Sequence, residues 1–407
     1  MNEASPDRDA AGALRIAFAL ALGSAVALGL GRFSYALLLQ PMRADLDWSY
    51  LTAGAMNTVN AAGYLVGALL VPRWLARHDA RAILLRGGVA ASVLLAAHGI
   101  VLSDAALYAL RLLTGVASAA LFVCGGVLAA RLGASHPTRA GLLLGVYYGG
   151  TGLGIVASSL LLPPLLAVDV AHAWQWGWIA LGATAAASTA AIVGPTRPLA
   201  APPAAPEAGR ARFDWRPFAF GLAGYFMFGI GYIGYMTFVI ALLREQGLGH
   251  VQTVAFFVLL GVGVVASSWL WAGLLQRARG GEALGLLNAL LAGATVLPVL
   301  STHPVAVFVS GALFGSVFLS LVASTTALVR HNAAAAAWAG GIAAFTIVFA
   351  FGQIVGPSIV GWIADVAGGL RHGLAFSAGA LALGAALAFR QRPLAVQGAA
   401  RGTAGAR

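Results

Sequence analysis

The stretch Gly29–Pro41, GLGRFSYALLLQP, decides how the rest of the chain is read. It lies inside a long apolar run and carries Arg32 in the middle of it. Two hundred residues later Gly229–Tyr235 reads GIGYIGY where Gly29–Tyr35 reads GLGRFSY. The phrase is written twice, once with a charge and once without. The pairing points to an internal duplication, and Arg32 to a function held by the first copy alone.

The setting of both phrases is lipid. Of 407 residues, 60% are hydrophobic and 9% charged, against roughly 25% charged in soluble domains. Apolar runs of about 20 residues, the length that crosses ~30 Å of hydrocarbon, number twelve along the sequence. Backbone polar groups in lipid must bond within their own segment, so the spans are helices. The short alternating segments of a β-barrel are absent. The fold class expected is an all-α membrane protein of twelve transmembrane helices in two parallel six-helix repeats. The first six helices are predicted at about 15–39 (ending at Pro41), 50–71, 82–102, 105–130, 141–166 and 174–194. The second six are predicted at about 217–243, 251–275, 282–300, 304–329, 334–364 and 373–390. Residues 1–14 read as a polar tail, 15–194 as a first bundle, 216–390 as a second and 391–407 as a second tail. Between the bundles, 195–215 (PTRPLAAPPAAPEAGRARFDW) is rich in Pro and Ala and has no helical period, as a flexible linker would.

An offset of 200 holds along the whole chain without a gap. Gly63 and Arg77 meet Gly263 and Arg277, Gly115 meets Gly315, and Gly152 and Ser158 meet Gly352 and Ser358. Six spans repeated in the same orientation make a parallel repeat, with a solute site expected between the halves near the midplane. Most of the glycines, such as Gly145, Gly149, Gly154, Gly356 and Gly361, read as sites of close helix packing.

The net charge of +11 does not mean nucleic acid. All the basic residues are arginine, and nineteen of them (Arg8, Arg15, Arg73, Arg77, Arg81, Arg86, Arg131, Arg139, Arg197, Arg210, Arg212, Arg216, Arg277, Arg279, Arg330, Arg390, Arg392, Arg401 and Arg407) fall in one set of alternate loops and the termini. Arg43, Arg244 and Arg371 fall in the opposite loops. That asymmetry puts both termini in the cytoplasm. The single cysteine, Cys124, lies inside a span, and no metal-ligand spacing occurs. The N-terminus lacks the pattern of a cleavable signal. No cofactor, metal or enzymatic activity is expected: no nucleophile, base and orienting group converge, and no phosphate-cradling loop is present.

GLGRFSYALLLQPMRADLDWS, NTVNAAGYLVGALL and FGQIVGPSIVGWIAD resemble the major facilitator superfamily, within it the YbfB/YjiJ-type branch, and the resemblance covers essentially the full length. RLLTG, Arg111 to Gly115, is similar to the family's helix 4 motif. The resemblance implies a bacterial inner-membrane carrier that alternates between outward-open and inward-open states, with helices 1, 4, 7 and 10 lining the cavity. Two features depart from the family's pattern. Gly67 is followed four residues later by Val71 where the loop between helices 2 and 3 usually has Asp, although the expected gating arginines Arg73, Arg77 and Arg81 are present. The antiporter-type glycines of helix 5 are followed by no proline before Pro163.

Charges in hydrocarbon cost at least ~2.5–3.5 kcal/mol and usually face the bundle interior. Two qualify. Arg32 stands seventeen residues past Arg15, about 25 Å along the helix, and Arg111 seven past Asp104, about 10 Å. Two guanidiniums on one cavity would grip a carboxylate, sulfonate or phosphate; alternatively, each ties down carbonyls of a neighbouring helix. All thirteen acids fall in loops, tails or helix ends, so no carboxylate stands at a midplane relay position. Asp365 and His98 lie near outer helix ends. Coupling is therefore expected through exchange or facilitated movement of an anion, or through protons at a peripheral group. The remaining candidate binding residues are Tyr35, Asn57, Asn60 and Tyr64 (the last three one stripe of helix 2), Tyr147 and Tyr148, Tyr225, Tyr232 and Tyr235 on a stripe of helix 7, and Gln353. Tyr232 stands where Arg32 stands in the first copy, and Gly311 where Arg111 stands. Cations and amides in one half facing aromatics in the other would suit an amphipathic organic anion. The expected function is secondary active or facilitative transport of a small organic solute, favouring an anion, by a monomer. The alternatives are a drug or metabolite efflux carrier and a non-transporting membrane receptor.

Overall fold

Twelve helices long and apolar enough to cross a membrane follow one another in the computed structural model, which describes residues 6–200 and 213–394. They are helix 1 Ala11–Asp45, helix 2 Tyr50–Leu75, helix 3 Ala80–Ile100, helix 4 Asp104–Ser135, helix 5 Pro137–Leu166 and helix 6 Ala173–Val193, then helix 7 Arg216–Glu245, helix 8 His250–Arg277, helix 9 Glu282–Leu300, helix 10 Pro304–Asn332, helix 11 Gly340–Val366 and helix 12 Leu370–Phe389. Most of the Pro- and Ala-rich linker, the extreme N-terminus and the tail past residue 394 lie outside the described residues, and with them Glu3, Glu207, Arg210, Arg212, Arg401 and Arg407. Because the number of spans is even, the described chain begins and ends on one side, here called the terminal face.

The helices pack as two sets of six. In the first set helix 2 lies on helix 4, helix 3 on helices 4 and 6, and helix 1 on helix 5. In the second, helix 8 lies on helix 10, helix 9 on helices 10 and 12, and helix 7 on helix 11. Adding six to each number in the first list gives the second, as a parallel repeat requires. Small residues make the same approaches in both sets. A Cβ on Gly29 would come 2.5 Å from the Cα of Gly154, and one on Gly229 would come 3.1 Å from the Cα of Gly352. Without hydrocarbon–water contrast to drive association, such backbone-to-backbone contact is how membrane helices gain dispersion energy. The two sets meet through helix 2 on helix 11 and helix 5 on helix 8, again a pair related by the repeat. The Tyr35–Asp45 end of helix 1 also packs on helix 7.

Helices 1 and 8 differ from their expected form. Helical structure begins at Pro6, nine residues earlier than expected, because a proline in a first turn lacks only an N–H that has no partner there. Helix 1 does not stop at Pro41; its last segment, Tyr35–Asp45, runs through it. Helix 8 is broken at Trp271, between His250–Leu270 and Ala272–Arg277, where the indole N–H donates to the carbonyl of Ser316 at 2.7 Å. Helix 1 also opens into a π-helix over Ala25–Phe33, every residue of which is buried. The wider turn carries Arg32 and is marked by the Ser34 N–H donating to the carbonyl of Gly29, five residues back, at 2.9 Å.

Replacing Gly29 with Leu should force helices 1 and 5 apart. We expect a loss of about 1–3 kcal/mol, read as a lower unfolding temperature in detergent. Gly12, whose Cβ position meets nothing within 4 Å, should accept Ala with no loss in that temperature and a small gain from helix propensity.

Candidate functional site

Both intramembrane arginines are buried, Arg32 at 3% exposure and Arg111 at 0%, and they are treated oppositely by the protein. Arg111 is fully engaged. Its guanidinium donates to the carbonyl of Gly31 at 2.9 Å, to Oδ1 of Asn57 at 2.8 Å and, more weakly, to the carbonyl of Met56 at 3.5 Å. Its charge lies 5.1 Å from the ring of Tyr35 and 5.6 Å from that of Trp178. Arg111 thus ties helix 4 to helices 1 and 2 within the first set, the second of the two roles open to it from the sequence. Asn60 donates to the Arg111 carbonyl at 3.1 Å, and Tyr35 to the carbonyl of Ala53 at 2.8 Å. These residues expected at a binding site are bound to one another instead.

Arg32 has no such acceptors. Its Nε and Nη2 are buried without a hydrogen-bond partner among the described residues. It stands thirteen residues from Asp45, about 20 Å along helix 1 from its far-face end. Tyr64 of helix 2 and Tyr232 of helix 7 are within electrostatic reach of it, and Tyr64 is also within reach of Tyr148 and Tyr232. Arg32 of helix 1, Tyr64 of helix 2 and Tyr232 of helix 7 thus lie near one another, with Tyr148 of helix 5 near Tyr64. Exposure rises from Arg32 through the half-buried Tyr64 to Tyr148, 40% exposed in helix 5. Gln353 of helix 11 is brought in by Tyr232, whose hydroxyl donates to Oε1 of Gln353 at 2.5 Å.

The second half contributes an aromatic layer that the sequence reading only partly found. Tyr232 stacks on Phe228 (4.7 Å between centroids), Phe349 (5.5 Å) and Phe318 (5.7 Å), and Tyr225 stacks on Phe349 at 4.8 Å. Phe33, next to Arg32, meets Phe318 edge-on at 5.6 Å. Phe228 completes the helix 7 stripe of Tyr225, Tyr232 and Tyr235, so spacing could have revealed it. Phe318 and Phe349 come from helices 10 and 11, and only the tertiary fold places them there. Tyr235 is engaged by helix 10, sharing a 2.6 Å hydrogen bond with Ser310 and stacking on Phe314. Tyr147 donates to the carbonyl of Phe122 at 2.5 Å, a helix 4–5 contact.

The far face is closed by bonds between the halves. The Tyr50 and Leu51 N–H groups, at the start of helix 2, donate to the two oxygens of Asp365 at 2.9 and 2.8 Å. A carboxylate here meets unsatisfied donors at the positive end of a helix. The Tyr50 hydroxyl bonds Glu245 of helix 7, and the charge of Arg43 lies 3.9 Å from the Tyr50 ring. Deeper, Asn57 donates to Thr237 at 2.8 Å and Thr58 shares a 2.8 Å bond with Ser358. Nothing comparable joins the halves at the terminal face among the described residues, where helices 4 and 10 scarcely touch. Arg73 and Arg77 are exposed there, and Arg81 donates to Thr196 and to the carbonyl of Val193 at the end of helix 6. Among the described residues, none of the three bonds to the second half. In the same loop Asp79 pairs with Arg131 of helix 4 at 3.4 Å. His98 stacks on Trp178 at 4.4 Å with Nδ1 2.7 Å from the carbonyl of Leu94.

Two six-helix repeats, closed on one face and enclosing an unpaired guanidinium, define a membrane transporter of the major facilitator fold. The chain belongs to the family described as the uncharacterised MFS-type transporter YbfB, whose model matches residues 24–389. Among solved structures it resembles the nucleoside transporter NupG (D323A mutant), with a TM-score of 0.73 at 13% identity, covering 92% of this chain and 98% of that one. It also resembles a bacterial homologue of the human lysosomal transporter Spinster, in its inward-facing and unoccupied conformation, with a TM-score of 0.68 at 15% identity over 95% and 97% of the two chains. At these identities the likeness is one of fold. Comparison with curated proteins by sequence finds no match.

The two arginines should separate in a stability assay. Arg111→Gln leaves buried acceptors unpaired and should cost about 1–3 kcal/mol. Arg32→Gln removes a buried charge that no protein group balances, and should leave the unfolding temperature unchanged or raise it. Asp365→Asn should weaken the far-face closure by about 1.5–3 kcal/mol. Spin labels on helices 2 and 11 near that face would then show a longer distance population absent from the wild type.

Proposed function

We propose that this protein carries a small organic anion across the membrane by alternating access, with Arg32 as the group that grips the anion. The observation that carries the proposal is the buried Arg32 guanidinium with two nitrogens unpaired. A buried charged donor without an acceptor is costly, and a carboxylate, sulfonate or phosphate would supply acceptors in the forked geometry a guanidinium presents. Tyr64, Tyr148, Tyr232 and Gln353 would contact the body of the solute, and the aromatic layer behind Tyr232 favours an apolar or planar one. The same layer is the specific support for a second reading, efflux of an apolar drug or metabolite, in which Arg32 would be dispensable.

Alternating access in this proposal rests on Asp365 and Glu245 holding helix 2 against helices 7 and 11 in one state and releasing it in the other. The arginine-rich loops and both termini would face the cytoplasm, with the protein in a bacterial inner membrane. Since the acids lie in loops or at helix ends, we place any proton coupling at the far-face carboxylates, and otherwise expect exchange of one anion for another. Arg73, Arg77 and Arg81 would act at the cytoplasmic gate by repacking toward the second half when that face closes.

Uptake by reconstituted vesicles, screened over organic acids, nucleosides and lipophilic cations, tests the proposal. An acid should be transported. Arg32→Gln should reduce its uptake by about tenfold or more, the equivalent of one charge-assisted hydrogen bond, and Arg32→Lys should retain part of it. Transport confined to neutral or cationic solutes, unchanged in Arg32→Gln, would overturn the anion reading in favour of efflux.

A further inference from the structure

A second feature with unpaired cationic character lies on the outside of the bundle, far from Arg32. Helices 3 and 4 and the end of helix 2 form a groove of about 410 Å³ at the terminal face. Its length is apolar, with Ile83, Ala90, Leu94, Leu113 and Val116 along it, and its mouth holds Trp74, His78 and Arg86. The floor is shut. A Cβ on Gly87 would lie 3.1 Å from that of Ala120, so the groove opens only outward, to lipid.

Arg86 is exposed and makes no hydrogen bond or ion pair among the described residues, and neither does the His78 side chain. The nearby charges are already committed: Asp79 to Arg131 at 3.4 Å, and Arg81 to Thr196 and Val193. Arg86 stands six residues past Ala80, about 9 Å along helix 3 from its terminal-face end. Its stem can lie along the helix while its head reaches the interface. Trp74 beside it is a residue type that favours that layer. From Arg86 the groove continues eight residues to Leu94, about 12 Å toward the membrane centre.

We infer that this groove is a binding site for an anionic phospholipid of the terminal-face leaflet. Arg86, with His78, would hold the headgroup phosphate, Trp74 would pack on the glycerol region, and an acyl chain would lie along Ala90, Leu94, Leu113 and Val116. Charge selects this occupant. An apolar helix from a second copy of the chain would fill the groove but bring Arg86 no counter-charge, and a zwitterionic lipid would offset its own phosphate. The site is independent of the transport reading.

Native mass spectrometry of the purified protein, with phosphatidylglycerol and phosphatidylcholine of identical chains, tests it. The wild type should retain phosphatidylglycerol in preference. Arg86→Gln should lower that retention about fivefold, the effect of one basic residue at an anionic surface, leaving the two lipids equivalent. Ala90→Trp, at an exposed position, should reduce retention of both by filling the groove. Millimolar inorganic phosphate should not displace the lipid. The proposal is overturned if the wild type shows no preference, if Arg86→Gln keeps it, or if the groove proves to be a dimer contact that Ala90→Trp dissociates.

Discussion

A guanidinium buried without an acceptor is the constraint on which the account of this protein rests. Helix 1 brings Arg32 to the seam between two six-helix halves, within a π-helical segment whose residues are all buried. The neighbouring Arg111 shows what the protein does with a charge meant to stay put. Carbonyls from helices 1 and 2 and the amide of Asn57 surround it, and the rings of Tyr35 and Trp178 cover it. Both charges carry the cost of leaving water, and only one is compensated from within the chain. The uncompensated one faces aromatic residues of the opposite half across a seam that is bonded shut on one side only. Structure and energetics meet at that point: the lack of a partner makes Arg32 a poor structural residue, and it is what motivates the proposed anion site.

The duplication gives this asymmetry its meaning. The halves share their packing plan, down to glycines that let helix 1 lie on helix 5 and helix 7 on helix 11. Within that common plan the polar content has diverged. Gly311 occupies the place of Arg111, and the ring of Phe256, 2.7 Å from where a Cβ on Gly311 would be, fills the volume. Tyr232 occupies the place of Arg32, and its hydroxyl donates a hydrogen bond to Oε1 of Gln353. One half holds charge and amides, the other aromatic surface. A seam between unlike faces can be specific for an amphipathic solute in a way that a seam between like faces cannot.

Much of this was legible in the sequence, because lipid leaves few choices. Span number, helical type and the repeat follow from apolar run length and a constant offset, and the structure adds corrections at helix ends, at Trp271 and in the π-helical turn of helix 1. The π-helix was not legible, since a wider turn leaves no period long enough to read. The candidate site was legible as a set of residues and illegible as a geometry. Arg32, Tyr64, Tyr148, Tyr232 and Gln353 converge, whereas Tyr35, Asn60, Arg111, Tyr147 and Tyr235 spend their polar atoms on helix contacts. Asn57 bridges Arg111 to Thr237 across the seam. Sequence spacing says which residues share a helix face, and says nothing about which neighbour that face meets. For the same reason Asp365 read as a helix-end carboxylate, and its bond to helix 2, over three hundred residues away, emerges only from the fold.

The most direct test of the central claim is a thermal-shift measurement on purified protein and its Arg32→Gln variant, against matched organic acids, neutral sugars and nucleosides, and cationic drugs. The account predicts that the compounds stabilising the wild type are anions, and that their stabilisation disappears in Arg32→Gln while the variant itself stays folded. Stabilisation by neutral or cationic compounds that is equal in wild type and variant would contradict it.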